Sequence, residues 1–135
     1  MALQLSIAVC NARLDAIETQ IGASAVLKIR TGAPPADCAT ADSGTVLATL
    51  SLPSDWMAAA SSASKSKSGT WQDLTADATG TAGHFRIYAS DGTTCGMQGT
   101  ITATGGGGDM TLDNTSIATN QPVSVSSFTI SDGNT

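Results

Sequence analysis

His84 is the only histidine in the chain, so acid–base chemistry near neutral pH would have to run through it. A Ser–His–Asp triad also needs a presented nucleophile, and no G-x-S-x-G elbow is present. His84 is therefore expected on a strand surface, without a catalytic role. Cys10, Cys38 and Cys95 are widely spaced, odd in number and lack a C-x-x-C pair. They read as free thiols in a reducing compartment, with a Cys38–Cys95 bridge left open. Asp109 and Asp113 lie in G-G-G-G-D-M-T-L-D-N, without the alternating D-x-D-x-D-G of a calcium loop. Asp37 and Asp42 read as isolated acids, and Asp73 and Asp77 as solvated acids flanking a turn. Gly105–Gly108 lacks the G-K-[ST] of a phosphate loop and reads as a mobile strand connection. The expectation is that there is no catalytic set, no cofactor site and no metal site.

The stretch that must position everything else runs from Thr81 to Ala103. Phe85, Ile87 and Ala89 alternate with His84, Arg86 and Tyr88. After Asp91-Gly92 the alternation resumes, with Cys95, Met97, Gly99 and Ile101 on one face. Alternation on both sides of a D-G pair predicts an antiparallel hairpin.

Ahead of it, Ile7, Cys10, Leu14, Ile17 and Ile21 recur at helical spacing, with Ser6 to cap the start and Gly22 to end it. Arg13, Asp15, Glu18 and Gln20 fall on the opposite face and are expected to be wet. Residues 25–31 and 44–52 read as strands, the second with Val46, Ala48, Leu50 and Leu52 sharing a face. Between them Pro34-Pro35 enforces a surface loop. Trp56 and Trp71 read as core anchors. The S-S-A-S-K-S-K-S-G run of residues 61–69 reads as a flexible, solvated linker holding Lys65 and Lys67. Residues 122–131 close the fold, with a parity switch at Ser126-Ser127 that predicts a bulge or a strand buried on both faces. Residues 132–135 are expected to form a tail. The chain thus divides into an N-terminal amphipathic helix (1–23) and a β-rich domain (24–135). The fold class is mainly β, an antiparallel sandwich or barrel-like domain preceded by one helix.

Composition narrows the functional classes. With a net charge of −5 and only 13% charged residues, the chain lacks the clustered cations that nucleic acid requires. No stretch approaches the roughly 18 apolar residues of a membrane span. Residues 1–9 show no basic start or cleavage site, so synthesis in the cytoplasm is expected. A surface poor in charge and rich in Ala, Ser, Thr and Gly suits packing against other proteins.

In its order of elements the chain resembles the small β-rich proteins encoded in the structural modules of tailed bacteriophages. The residues that carry the likeness are N-A-R-L-D-A-I, L-K-I-R-T-G-A-P-P, V-L-A-T-L-S-L, A-D-A-T-G-T-A-G-H-F-R-I-Y-A-S-D-G-T and the closing M-T-L-D-N-T-S-I-A-T-N-Q-P-V-S-V-S-S-F-T-I. The resemblance implies a non-enzymatic virion protein, with decoration of the capsid exterior favoured over a neck or tail role, including receptor or carbohydrate binding. Its partners would be the major capsid protein or other virion proteins and further copies of itself. It carries no active site to transfer.

Overall fold

The computed structural model describes residues 3–133. The elements in order are α1 (Ile7–Ile21), β1 (Val26–Thr31), β2 (Val46–Ser51), β3 (Ser64–Ser66), β4 (Trp71–Asp73), β5 (Gly80–Tyr88), β6 (Cys95–Ala103), β7 (Met110–Leu112), β8 (Ser116–Ile117), β9 (Val123–Val125) and β10 (Thr129–Ser131). The protein is mainly β, a curled half-barrel sheet with one N-terminal helix. The main sheet runs β2-β1-β5-β6-β7, with β8 added to the start of β5. Two short ribbons, β3 with β10 and β4 with β9, complete the strands.

The helix starts and stops where its sequence signals lie. Ser6 Oγ accepts from the Val9 N–H at 3.2 Å, and Gly22, at φ +98°, donates its N–H to Glu18 O at 2.9 Å. Both bonds satisfy backbone groups that a helix end leaves without partners. Cys10, Leu14 and Ile21 are buried and Ile17 packs on the core, but Ile7 is 53% exposed. The stripe therefore holds from its second member onward. The face expected to be wet is a docking face too. Glu18 Oε2 accepts from Met57 N–H at 3.1 Å, Asp15 Oδ1 from Ala60 N–H at 2.9 Å, and Asn11 Oδ1 from Ala63 N–H at 2.9 Å. The irregular segment after Trp56 pairs only in part with β3 and its flank, through Ala58 N–H to Ser66 O and a bridge between Met57 and Lys67. Helix side chains satisfy the Met57, Ala60 and Ala63 donors.

The hairpin of β5 and β6 forms around Asp91-Gly92, as the alternation predicts. Asp91 Oδ1 accepts from the N–H groups of Thr93 (2.8 Å) and Thr94 (2.9 Å), and Gly92 takes the left-handed φ of +72°. The bonds from Thr94 and Thr93 hold the Asp91 carboxyl down at about 2. A depressed folded-state value means the turn's stabilisation is present above the ordinary Asp value of about 4 and fades as pH falls through the lower one. The Thr93 and Thr94 amide resonances should therefore titrate with a midpoint near 2. A midpoint in the ordinary Asp range would mean the turn is held by something else.

Two bulges change which residues share a face. In β6, Met97 opposes Ile87 but Cys95 opposes Tyr88, so Gly96 is the extra residue. Cys95 thus sits on the Tyr88 face and not with Met97. A side chain on Gly96 would overlap Ile21, which explains a glycine at that point of the bulge. In β2, Ala48 opposes Ile29 but Val46 opposes Arg30, with Leu47 between. Val46 therefore leaves the Ala48–Leu50 face. Strict alternation fails wherever one strand carries an added residue.

The connection of residues 104–109 joins two strands, as expected, and β7 pairs with β6 in parallel, Ile101 beside Met110. Parallel neighbours usually need a crossover of about a dozen residues or more. Here Gly105 (φ +88°) and Gly107 (φ +82°) turn the chain sharply, and Gly108 donates its N–H to Thr102 Oγ1 at 3.0 Å. The presumed linker of residues 61–69 contains β3, and Lys65 within it is 2% exposed.

Residues 122–131 form two strands, β9 and β10, with the break at the parity switch. The residues expected as a tail begin tied down. Asp132 pairs with Arg13 at 3.3 Å and its N–H donates to Ala63 O, while residues 134–135 lie outside the described residues.

The apolar core gathers one face of the main sheet with the two ribbons. Trp56 and Trp71 are buried, their ring centres 6.0 Å apart, and Phe128 bridges Trp71 (5.7 Å) to Phe85 (5.6 Å). Trp56 Nε1 donates to Gly22 O at 2.9 Å, which fixes the end of α1 to the core. Asp73 and Asp77 are not simply solvated. They accept from Thr49 N–H (2.9 Å) and Thr49 Oγ1 (2.8 Å), and so cap the outer edge of β2.

Candidate functional site

The chemically dense part of the molecule is the other face of the sheet. Arg30 on β1 and His84, Arg86 and Tyr88 on β5 alternate with the core residues and so point away from it. None of the four is exposed: Arg30 is 7% accessible, Arg86 2%, and His84 and Tyr88 0%. Lys28 joins them, its Nζ 5.1 Å from the Tyr88 ring centre.

What covers this face is the loop of residues 32–45, and Asp42 is its hub. The Asp42 carboxylate accepts from Arg30 Nη2 (3.0 Å), Arg86 Nη1 (2.8 Å) and Tyr88 OH (2.6 Å). Arg86 uses its remaining donors on Asp37 O (2.8 Å), Thr40 O (2.9 Å) and Gln98 Oε1 (3.0 Å). Gln98 Nε2 in turn donates to Pro35 O at 2.6 Å. Partial burial pushes the Asp42 carboxyl up, but the Tyr88 hydrogen bond and the Arg30 and Arg86 charges outweigh it, and the net shift is downward. Burial, then the bond to Asp42, pushes the Tyr88 phenol up. Asp42 is thus no isolated acid.

Cys38 and Cys95 are joined by a disulfide, with Cα atoms 5.4 Å apart, which corrects the free-thiol reading for both. The bulge at Gly96 is what turns Cys95 toward the loop. Cys10 remains a free, buried thiol, its pKa raised by burial and the nearby Asp132 carboxylate.

His84 is also misplaced by the surface reading. It is fully buried, and its Nδ1 lies 2.9 Å from Gly32 O. A carbonyl only accepts, so the Nδ1 proton is committed to that bond. Buried beneath the loop, His84 has no access to a substrate. Asp109 and Asp113 are not brought together as ligands. Asp109 Oδ2 instead accepts from Thr100 N–H at 3.0 Å and Thr100 Oγ1 at 3.1 Å. Among the described residues no group of three or more His, Cys, Asp or Glu side chains could hold a metal ion. Among the described residues no helix is long and apolar enough to cross a membrane.

A second charged cluster ties α1 to the domain. Lys65 Nζ lies 2.7 Å from Asp15 Oδ1, 3.1 Å from Glu18 Oε1 and 2.9 Å from Ala58 O. Burial opposes its charge, but the bonds to Asp15 and Glu18 prevail and its pKa is raised. Both clusters pair their charges within the chain, with Asp42 and Asp15 at their exposed edges.

The accessible features lie elsewhere. Leu3 (83% exposed), Ile7 (53%) and Val9 (46%) mark an uncovered apolar surface at the start of α1. Farther along the same helix, an open groove between α1 and β6 is lined by Arg13, Ile17, Ile21, Cys95 and Gly96. Sequence reasoning found neither Asp42 nor Lys65 as organising residues. The available signal was the cationic alternation itself: L-K-I-R-T and H-F-R-I-Y place Lys28, Arg30 and Arg86 on one face of neighbouring strands, which demands an acid to cover them. Comparison with family models, with curated proteins and with solved structures gave no match.

Proposed function

We propose that this protein is a non-enzymatic structural component of a tailed-bacteriophage particle, a decoration protein bound to the outside of the head. Beside the sequence resemblance, the observation that carries this reading is how the chain distributes its side chains. All six Lys and Arg are engaged within the chain. Arg13, Arg30, Lys65 and Arg86 form ion pairs, while Lys28 lies over Tyr88 and Lys67 over Trp71. Large apolar residues, by contrast, stand uncovered at the start of α1.

Such a surface favours contact with protein over contact with phosphate, because protein interfaces are depleted in charge at their centres and nucleic-acid interfaces are not. Binding only the assembled shell would stabilise that shell by mass action. Copies joined in closed symmetric rings would turn weak contacts into durable ones.

The receptor-binding alternative loses its clearest platform, since Trp56 and Trp71 are buried and unavailable for stacking on a sugar. The test is a phage lacking this gene, compared with its parent for particle count, adsorption and heat release of DNA. Particles should assemble and adsorb normally, yet release DNA at lower temperature, and the added protein should co-sediment with them. Normal heat resistance with lost adsorption would overturn decoration and move the protein to a tail or neck role.

A further inference from the structure

We infer that the Cys38–Cys95 disulfide is a redox latch that holds the loop of residues 32–45 over the Arg30–Arg86 face. None of those loop residues is buried, so the loop has no apolar anchor of its own. Hydrogen bonds and ion pairs to Arg30, Arg86, Tyr88, Gln98 and His84 hold it, together with one covalent bond. When the loop lifts, water offers both partners of each polar contact replacements, so opening costs less than deleting one partner from the closed state. The cross-link removes that option for the stretch it fastens. Cys38 lies between the two carbonyls, of Asp37 and Thr40, that accept from Arg86 Nη2, so the bond is placed at the centre of the arginine-holding stretch. Its other end, Cys95, starts β6 and stands opposite Tyr88 of β5 in the central hairpin.

Both half-cystines are only partly buried, so a small dithiol has access to the bond. Reduction adds two electrons and two protons, breaking the sulfur–sulfur bond to give two thiols, while the dithiol is oxidised to its own disulfide. Cys10, buried and with a raised pKa, is a poor competitor for exchange. Once the bond is broken, the loop lifts and leaves Arg30 and Arg86 without Asp42. A cationic face then opens on an otherwise acidic protein, and reoxidation closes it. The latch is a property of the folded chain alone and does not rest on the particle role.

The test is hydrogen exchange followed by mass spectrometry under native conditions, on the air-oxidised protein, on the same protein in dithiothreitol and on Cys38→Ser. The bonded amides of the loop, Thr40 to Asp37 and Thr45 to Thr31 Oγ1, should exchange about tenfold to a hundredfold faster in the latter two, with the rest of β1 and β5 unchanged. Equal loop protection in all three samples would overturn the latch. So would a uniform acceleration across loop and sheet, which would make the bond a general staple.

Discussion

Lys65→Ala is expected to destabilise the protein by about 3 kcal/mol, a fall in melting temperature of about 10 °C. The ammonium is withdrawn from water and held by Asp15, Glu18 and the Ala58 carbonyl. Breaking a buried pair by removing one member costs more than the pair contributes, because the remaining charge keeps its burial and loses its partner. Glu18, with its side chain 19% accessible, is the acid left in that position. The alanine also removes the four-carbon stem that fills space beneath α1. Lys65→Met separates the two contributions, since it keeps the stem and deletes only the charge, and it should lose clearly less. Asp15→Ala should be milder again, because Glu18 still neutralises the lysine. Thermal unfolding of the three variants checks the order. Equal, small losses in all three would mean that α1 docks through Cys10, Leu14 and Ile21 alone.

That expectation shows where sequence patterns reached and where they stopped. The helix and its caps, the D-G hairpin and the burial of both tryptophans follow from local rules, because spacing, cap chemistry and turn chemistry act within a few residues. What local rules cannot see is a pairing across 44 or 50 residues, as between Arg86 and Asp42 or Asp15 and Lys65. Composition misled at residues 61–69. Ser and Lys in that run suggest solvent, yet S-K-S-K-S has period two, and a strand that meets β10 turns Lys65 inward. Alternation misled at Cys95 and Val46, because a single added residue at each bulge reverses parity beyond it. The charged sheet face was legible as a pattern, but its cover came from a proline-rich loop with no secondary structure to announce it.

Arg86 anchors that cover beside the disulfide, and Arg86→Ala is expected to lower stability by about 4 kcal/mol. The guanidinium is 2% exposed and makes four contacts, to Asp42, Gln98 and the carbonyls of Asp37 and Thr40. Its removal takes one donor each from Gln98, Asp42 and the two carbonyls, and opens a cavity under the loop. Arg86→Lys should recover little, because a point-like ammonium with three donors cannot reach four acceptors spread along a planar fork. Asp42→Ala should cost less, about 2–3 kcal/mol, since its side chain is 40% exposed and water reaches the site. The two losses should not add. With Arg86 gone, Asp42 has only Arg30 and Tyr88 to serve, so the double variant should fall short of the sum by about 1 kcal/mol or more. Acid unfolding supplies an independent check. Asp42 has a depressed pKa in the fold, so its contribution is complete above the ordinary carboxylate range and is lost as pH falls through the lower folded value. Asp42→Asn should therefore flatten the acid limb of the stability curve while leaving neutral and alkaline slopes unchanged. Strict additivity together with an unaltered acid limb would show that Asp42 and Arg86 act independently, and the loop would then owe its place to the disulfide alone.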